Sequence, residues 1–124
     1  MNVYPQINHI FHKIISEKTG PYFENLGMKV QSLHQFDDPR AKIEARDYGA
    51  IFVSGGSTFK LLNFLQDNDL VGPIRNAVRE GGIAYMGSSA GTSIASPTIR
   101  TSNDMPIIWP DSPESLGLVE FQIN

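Results

Sequence analysis

The residues best suited to chemistry lie between Gly87 and Gly91, in the run GSSAG. This run has the G-x-S-x-G form, which places a serine on a sharp turn between a strand and a helix, where hydrolases keep their nucleophile. A serine hydroxyl is a poor nucleophile until a base accepts its proton, and a carboxylate commonly orients that base. Ser89 is therefore a candidate nucleophile that needs a histidine and a carboxylate from elsewhere.

The surroundings of Ser89 support this interpretation more than the short pattern itself does. The β-rich run GIAYMG precedes the serine, and the Ala- and Ser-rich run AGTSIAS follows it as far as Pro97. This order of strand, turn and helix is the one that the motif requires. The alternative is that glycine and serine fall into this common pattern by chance.

The elements around the motif alternate between helical and strand patterns. Apolar residues recur at helical spacing near the N-terminus, and a strand is predicted around Val30. A short helix is expected from Pro39 to about Arg46, and a buried strand from Ala50 to Val53. The next helix is expected to be capped by Ser57 or Thr58, and a further one to end at Gly81 and Gly82. Strands separated by helices predict a mostly parallel sheet, whose ligands bind beyond the carboxyl ends of the strands.

A second glycine turn, Gly55-Gly56, follows the strand that ends at Val53. When a serine attacks a carbonyl group, each backbone N–H that binds the developing oxyanion contributes about 3 to 4 kcal/mol. We expect these donors to be the amides of Gly56 and Ala90, since glycine allows close approach of the backbone. The alternatives are a plain tight turn with a helix cap, or a phosphate held at the helix N-terminus.

Composition narrows the class of protein. The chain has 124 residues, of which 40% are hydrophobic, and a formal net charge of -3. It contains no cysteine, which excludes disulfides and thiolate chemistry. No long apolar run or signal peptide pattern is present. We therefore expect a single cytoplasmic domain over residues 1–124 that binds neither nucleic acid nor membrane.

Three segments resemble the peptidase E family of serine peptidases, the α-aspartyl dipeptidases. They are IFVSGGSTFKLL, GSSAGTSIASPTIRTSNDMPI and LGLVEFQIN, and the resemblance covers the chain from about Gly27 to Asn124. It implies a three-layer αβα sandwich with a mostly parallel sheet, similar to flavodoxin and class I glutamine amidotransferases. It also implies cleavage of dipeptides with an N-terminal aspartate, through an acyl-enzyme on the serine and without a cofactor.

When the family's functional residues are matched to this sequence by position, the resemblance implies that Ser89 is the nucleophile. It also implies that Gly56 and Ala90 form the oxyanion hole. Asp104 matches an acidic residue that the family links to its catalytic histidine. On local grounds alone, Asn-Asp-x-Pro would instead indicate a turn. Arg100 is a candidate for binding the carboxylate of the substrate aspartate, because a guanidinium can bind a carboxylate in a bidentate manner. A surface ion pair is the alternative for Arg100.

The sequence also departs from the family pattern. It has Ser-Gly-Gly-Ser-Thr at residues 54–58, where the family usually has Gly-Gly-Gly-Asn-Thr. The family histidine lies in a Gln-Ile-Asn-Pro-His pattern and would follow Asn124. We therefore expect a chain truncated at both ends, with an incomplete sheet whose open edges favour association, and with very little activity of its own.

The three histidines of the chain offer weak substitutes for the missing base. His34 lies near the end of a predicted strand and could approach Ser89, although its spacing does not align it with the serine. His9 and His12 share a helix face, yet no third metal ligand is evident, and we expect no metal site. Two other functions remain open: a non-catalytic remnant that acts as a binding module, and a related hydrolase such as a cyanophycinase-like β-aspartyl peptidase or an esterase.

Overall fold

The computed structural model describes residues 2–4, 22–106 and 108–123. The predictions for the first helix and for His9 and His12 lie outside these residues, as does the side chain of His34.

The described strands form one parallel sheet. They are β1 (Asn2–Tyr4), β2 (Val30–Ser32), β3 (Ala50–Val53) and β4 (Ala84–Gly87), in the spatial order β2-β1-β3-β4. Every pairing between them is parallel. Strands β2, β3 and β4 confirm the sequence prediction, whereas β1 had no counterpart in it. Val53 pairs with Gly87, so the loops after β3 and β4 leave the sheet side by side.

The helices lie where the capping signals predict them. A 3₁₀ helix (Leu33–Gln35) follows β2, and the α-helices are α1 (Pro39–Ala45), α2 (Thr58–Asp67), α3 (Val71–Arg79) and α4 (Ala90–Ser93). Residues 22–25 are also helical. The side chain of Asp38 accepts a hydrogen bond from the amide of Ala41 at 3.1 Å, with Pro39 at the first helical position. Ser57, rather than Thr58, caps α2. The Thr58 side chain is therefore available for another contact.

One hydrophobic cluster joins side chains of β3, α2 and α3 with others of the fold. Its fully buried side chains include Ile51, Val53, Leu61, Leu62, Leu65 and Ile74. Complete burial of such a side chain contributes about 1.5 to 3 kcal/mol. This packing holds the carboxyl end of β3 and the start of α2 in place, and these are the two elements that flank the Gly55-Gly56 turn.

The irregular segment after α4 is anchored to the same core. Leu116 is fully buried, and its amide donates to the carbonyl of Ile94 at 2.8 Å. Arg75 of α3 donates from Nε to the Leu116 carbonyl at 2.7 Å and from Nη2 to the Ser115 carbonyl at 2.8 Å. Thr98 and Glu114 form an antiparallel bridge. These contacts close a loop around residues 99–113, and this loop carries both Arg100 and Asp104.

Among the described residues, no helix has the length and apolar character required to cross a bilayer. Within the same residues, no group of three or more His, Cys, Asp or Glu side chains could hold a metal ion.

Candidate active site

Ser89 occupies a strained turn between β4 and α4. Its backbone angles are φ 56° and ψ -116°, a conformation that residues other than glycine rarely adopt. The Ser89 carbonyl accepts hydrogen bonds from the amides of Thr92 at 2.9 Å and Ser93 at 3.1 Å. Ser89 itself is exposed. A strained backbone of this kind persists only where the surrounding structure holds it, and such residues cluster at functional sites.

The two glycines of the G-x-S-x-G run are required by close packing. A Cβ atom on Gly87 would lie 2.6 Å from the carbonyl oxygen of Gly91. A Cβ atom on Gly91 would lie 2.0 Å from the carbonyl oxygen of Val53 in the neighbouring strand. Neither distance is compatible with a side chain, because both obstacles are backbone atoms. The motif thus matches a turn in which α4 starts in contact with β3.

The Gly55-Gly56 turn lies against Ser89, as the sequence predicts. A Cβ atom on Gly55 would lie 2.9 Å from the Cβ atom of Ser89 and 3.3 Å from its Oγ. Gly56 has a φ of 131°, which favours glycine. Glycine is therefore favoured at the two positions for different physical reasons. At Gly55 the reason is the close approach to Ser89, and at Gly56 it is the positive φ. Sequence reasoning singled out Gly56 and missed the role of Gly55.

Asp104 contacts the first residue of α2. Its Oδ2 accepts hydrogen bonds from the amide of Thr58 at 2.8 Å and from the Thr58 hydroxyl at 2.5 Å. The Asp104 amide donates to Oγ of Ser102 at 3.2 Å, so a local turn is also present. A carboxylate is stabilised at a helix N-terminus by the unpaired amides and the helix dipole. Thr58 is a site residue that the sequence suggested only as a possible cap.

One pocket of about 230 Å³, called here the Ser89 pocket, brings several of the predicted residues together. Ser89, Ala90 and Asp104 all line it. The other lining residues carry hydroxyl or amide groups: Thr58, Ser93, Thr101, Ser102 and Asn103. Three of these hydroxyls already donate within the protein: Thr58 to Asp104, Thr101 to the Ile123 carbonyl and Ser93 to the Ser89 carbonyl. Ser102 and Asn103 remain as side-chain donors beside Ser89.

Arg100 lies in a different cavity, called here the second cavity, of about 440 Å³. The aromatic residues Phe59 and Trp109 line this cavity, and Ser102 is a wall of both the second cavity and the Ser89 pocket. The structure therefore brings Ser89, Ala90 and Asp104 into one pocket and places Arg100 next to it.

The side chain of Tyr85, in β4, supports the turn between β4 and α4. Its hydroxyl donates to the carbonyl of Gly91 at 2.5 Å. Burial raises the pKa of Tyr85 well above its usual value, because the phenolate form would lose its hydration. The phenol therefore remains a hydrogen-bond donor over the whole physiological pH range.

Comparison with known proteins identifies the family of this chain. Residues 11–124 match the family model described as Peptidase family S51. The chain belongs to peptidase family S51. The S51 chain is 50% identical over 98 residues to peptidase E of Streptomyces coelicolor, covering 79% of this chain and 39% of that protein. It is 46% identical over 113 residues to peptidase E of Shewanella amazonensis, covering 91% of this chain and 47% of that protein.

Two further relatives extend the comparison. A Drosophila melanogaster protein named probable alpha-aspartyl dipeptidase is 47% identical over 98 residues, which is 79% of this chain and 40% of that protein. A crystal structure of a Listeria monocytogenes protein, provisionally named peptidase E, matches with a TM-score of 0.74 and 25% identity. That match covers 98% of this S51 chain and 64% of the other chain. The resemblance to peptidase E and the predicted α/β fold are thereby confirmed. The S51 chain spans less than half the length of the curated relatives it matches.

Proposed function

We propose that this S51 chain carries the nucleophile and the oxyanion hole of a serine dipeptidase that hydrolyses Asp-X dipeptides. The observation that supports this most strongly is the strained turn at Ser89 facing the Gly55-Gly56 loop. Asp104, the proposed acidic partner of the base, lines the same pocket. The relatives named peptidase E and alpha-aspartyl dipeptidase supply the reaction class.

The proposed reaction is acyl transfer in two steps. A base takes the proton of the Ser89 hydroxyl as Oγ attacks the carbonyl carbon of the Asp-X bond. The amides of Gly56 and Ala90 hold the oxyanion, and Ala90 suits this role because the first amides of a helix lack intrahelical acceptors. The base then returns the proton to the leaving amine, the C–N bond breaks, and water hydrolyses the aspartyl ester.

The position of the base is supported by contacts near the C-terminal residues. The amide of Ile123 donates to Oγ of Ser96 at 2.9 Å, and the hydroxyl of Thr101 donates to the Ile123 carbonyl at 3.3 Å. Thr101 is also a wall of the Ser89 pocket. In a chain that continues through the family pattern, a histidine following Asn124 would therefore emerge beside this pocket. We propose that this histidine is the base and that residues 1–124 alone are nearly inactive.

The substrate proposal rests on the chemistry of the two neighbouring cavities. The Ser102 hydroxyl and the Asn103 amide line the Ser89 pocket and can donate to a carboxylate such as the aspartate side chain. Arg100 supplies a cation next to this pocket and is proposed as a substrate-binding residue.

We also propose that the protein is cytoplasmic and that it associates through the edges of its sheet. Among the described strands, β2 and β4 are the outer ones. An outer strand presents unpaired backbone groups that can pair with another chain.

The test uses residues 1–124 and replaces the base with imidazole in solution. We expect a fluorophosphonate probe to label Ser89 slowly, and imidazole to accelerate the labelling because it can accept the hydroxyl proton. Ser89→Ala should abolish labelling, whereas Ser88→Ala, at the adjacent serine, should retain it. Intact mass and peptide mapping measure the result. Absence of labelling with imidazole present would contradict a nucleophilic Ser89 and favour a non-catalytic binding module.

The substrate class is tested with three dipeptides in the presence of imidazole. Asp-Leu is expected to be hydrolysed, and Asn-Leu, which differs only by the side-chain charge, much more slowly. Preference for β-Asp-Leu would instead indicate a cyanophycinase-like β-aspartyl peptidase. Cleavage of simple esters but of none of the three dipeptides would indicate an esterase.

A further inference from the structure

The second cavity combines an aromatic wall with a single charged group. The rings of Phe59 and Trp109 meet edge to face, with centroids 5.5 Å apart and planes at 73°. Phe59 packs against the hydrophobic core, which anchors the pair, while Trp109 is 73% exposed. Pro110 and Pro113 add two rigid apolar groups to the wall. A large exposed indole on an anchored aromatic partner is unusual for a solvent-facing surface and indicates a binding surface.

Among the described residues that line this cavity, Arg100 is the only charged one. Within the described part of the chain, the ion pairs are Arg40 with Glu44 and Lys42 with Asp47, so the guanidinium of Arg100 takes part in none of them. An unpaired guanidinium can bind a carboxylate through two parallel hydrogen bonds. The cavity is therefore suited to a ligand with an apolar group and one carboxylate.

The second cavity is also next to the nucleophile. Ser102 is a wall of both cavities, and Phe59 directly follows Thr58, which lines the Ser89 pocket. A substrate whose scissile carbonyl lies at Ser89 can extend its next residue past Ser102 into the second cavity. In a dipeptide, that next residue carries a side chain and a free α-carboxylate.

We propose that the second cavity is the subsite for the leaving residue of an Asp-X dipeptide, and that X is apolar. Phe59 and Trp109 contact the side chain of X, and Arg100 binds its α-carboxylate. This inference rests on the proposed function and changes the role expected for Arg100, from the carboxylate of the substrate aspartate to that of the leaving residue. It also explains a restriction to dipeptides, because a longer peptide presents an uncharged amide at that position.

Trp109 is the only tryptophan of the chain, so its fluorescence reports on this cavity alone. Three probes separate the two proposed contacts: N-acetyl-leucine, N-acetyl-leucinamide, which lacks the carboxylate, and N-acetyl-glycine, which lacks the side chain. We expect N-acetyl-leucine to shift the emission of Trp109 to shorter wavelength in a saturable manner. The other two probes should bind at least about tenfold more weakly, which corresponds to the loss of one good contact.

Variants decide whether Arg100 is responsible. In Arg100→Gln the preference for N-acetyl-leucine over its amide should disappear, and in Arg100→Lys it should be partly retained. Arg79→Gln, at an exposed arginine on α3, should leave the preference unchanged. Phe121→Ala, at an exposed aromatic residue that is not among those lining the cavity, should do the same. Circular dichroism verifies that each variant is folded.

The outcomes separate this inference from the proposed function. Any of three results would overturn the subsite, even if the fluorophosphonate labels Ser89. They are equal binding of the three probes, no saturable shift of the Trp109 emission, and a folded Arg100→Gln variant that still prefers N-acetyl-leucine over its amide. If the probes bind as expected, Ser89→Ala should bind them equally well, because the subsite does not use the hydroxyl. Failure of Ser89 labelling with normal probe binding would overturn the peptidase function and, with it, the role of X as a leaving residue.

Discussion

Thr58 and Asp104 are joined by two hydrogen bonds to a single carboxylate oxygen, although they lie 46 residues apart in the sequence. The bonds occupy Oδ2, and the described residues donate no hydrogen bond to Oδ1. Asp104 is thereby held at the N-terminus of α2, and its Oδ1 is the oxygen proposed to orient the base. The start of α2 and the loop of residues 99–113 are thus linked at the wall of the Ser89 pocket.

The link between Thr58 and Asp104 should contribute measurably to stability. Thr58→Val keeps the shape of the side chain but removes the hydroxyl bond to a charged acceptor, and we expect a loss of about 1 to 2 kcal/mol in the free energy of unfolding. Thr58→Ser should lose much less. Urea denaturation measures both, with Asp111→Asn, at an exposed carboxylate on the same loop, as a control for surface charge. Equal stability of the Val and Ser variants would contradict the proposed role of the hydroxyl.

The contact of Gly91 with β3 predicts a severe effect of one added methyl group. Gly91→Ala would place Cβ 2.0 Å from the carbonyl oxygen of Val53, and we expect a loss of about 3 kcal/mol or more because backbone atoms cannot move aside. Gly72→Ala is the matched control, since its Cβ would have no heavy atom within 4 Å. Gly72 lies in α3, where alanine should stabilise by up to about 1 kcal/mol. Thermal denaturation of the two variants should give shifts of opposite sign.

Strain at Ser89 predicts that glycine at this position gives a more stable protein than alanine does. Ser89→Gly relieves the strain at φ 56°, whereas Ser89→Ala retains it. The greater entropy of glycine in the unfolded state offsets part of this gain, so we expect Ser89→Gly to be about 1 kcal/mol more stable than Ser89→Ala. Denaturation midpoints of the two variants provide the measurement. A more stable alanine variant would show that the turn is not strained.

The buried Tyr48 and the partly buried Tyr85 predict a loss of stability at alkaline pH. Burial raises the pKa of Tyr48 to about 12, while its hydroxyl donates to the Ile43 carbonyl at 2.7 Å, and the pKa of Tyr85 is raised further. A tyrosine in the unfolded chain ionises near pH 10, at about its reference pKa. The unfolded state therefore releases protons first, and stability that is fully present below pH 10 should decrease as the pH rises towards 12.

Tyr85→Phe should flatten this alkaline decrease, because the ring keeps its packing against the core without an ionisable group. Tyr22→Phe, at an exposed ring, should leave the pH dependence unchanged. Urea midpoints measured from pH 8 to above pH 10 compare the three proteins. A wild-type midpoint that is constant across this range would rule out the effect of the two phenols.

Local patterns determined much of the fold because the interactions behind them join neighbouring residues. Asp38 with Pro39 marked the start of α1, Ser57 the start of α2, and the G-x-S-x-G run the turn at Ser89. Caps and turns act over a few residues, so the sequence alone reveals them. The parallel sheet followed from the alternation of strand and helix. The first helix lies outside the described residues and stays a prediction, as does a truncated chain.

Tertiary structure decided the contacts between distant residues, since no local pattern specifies them. The bonds from Thr58 to Asp104, the approach of Gly55 to Ser89 and the contact of Gly91 with Val53 depend on how β3 and β4 align and how the core packs. The same packing placed Arg100 in a cavity with Trp109 rather than in the pocket of Ser89. The sequence thus identified the chemical groups, and the packing of sheet, helices and loop determined which of them meet, because those distances depend on the whole fold.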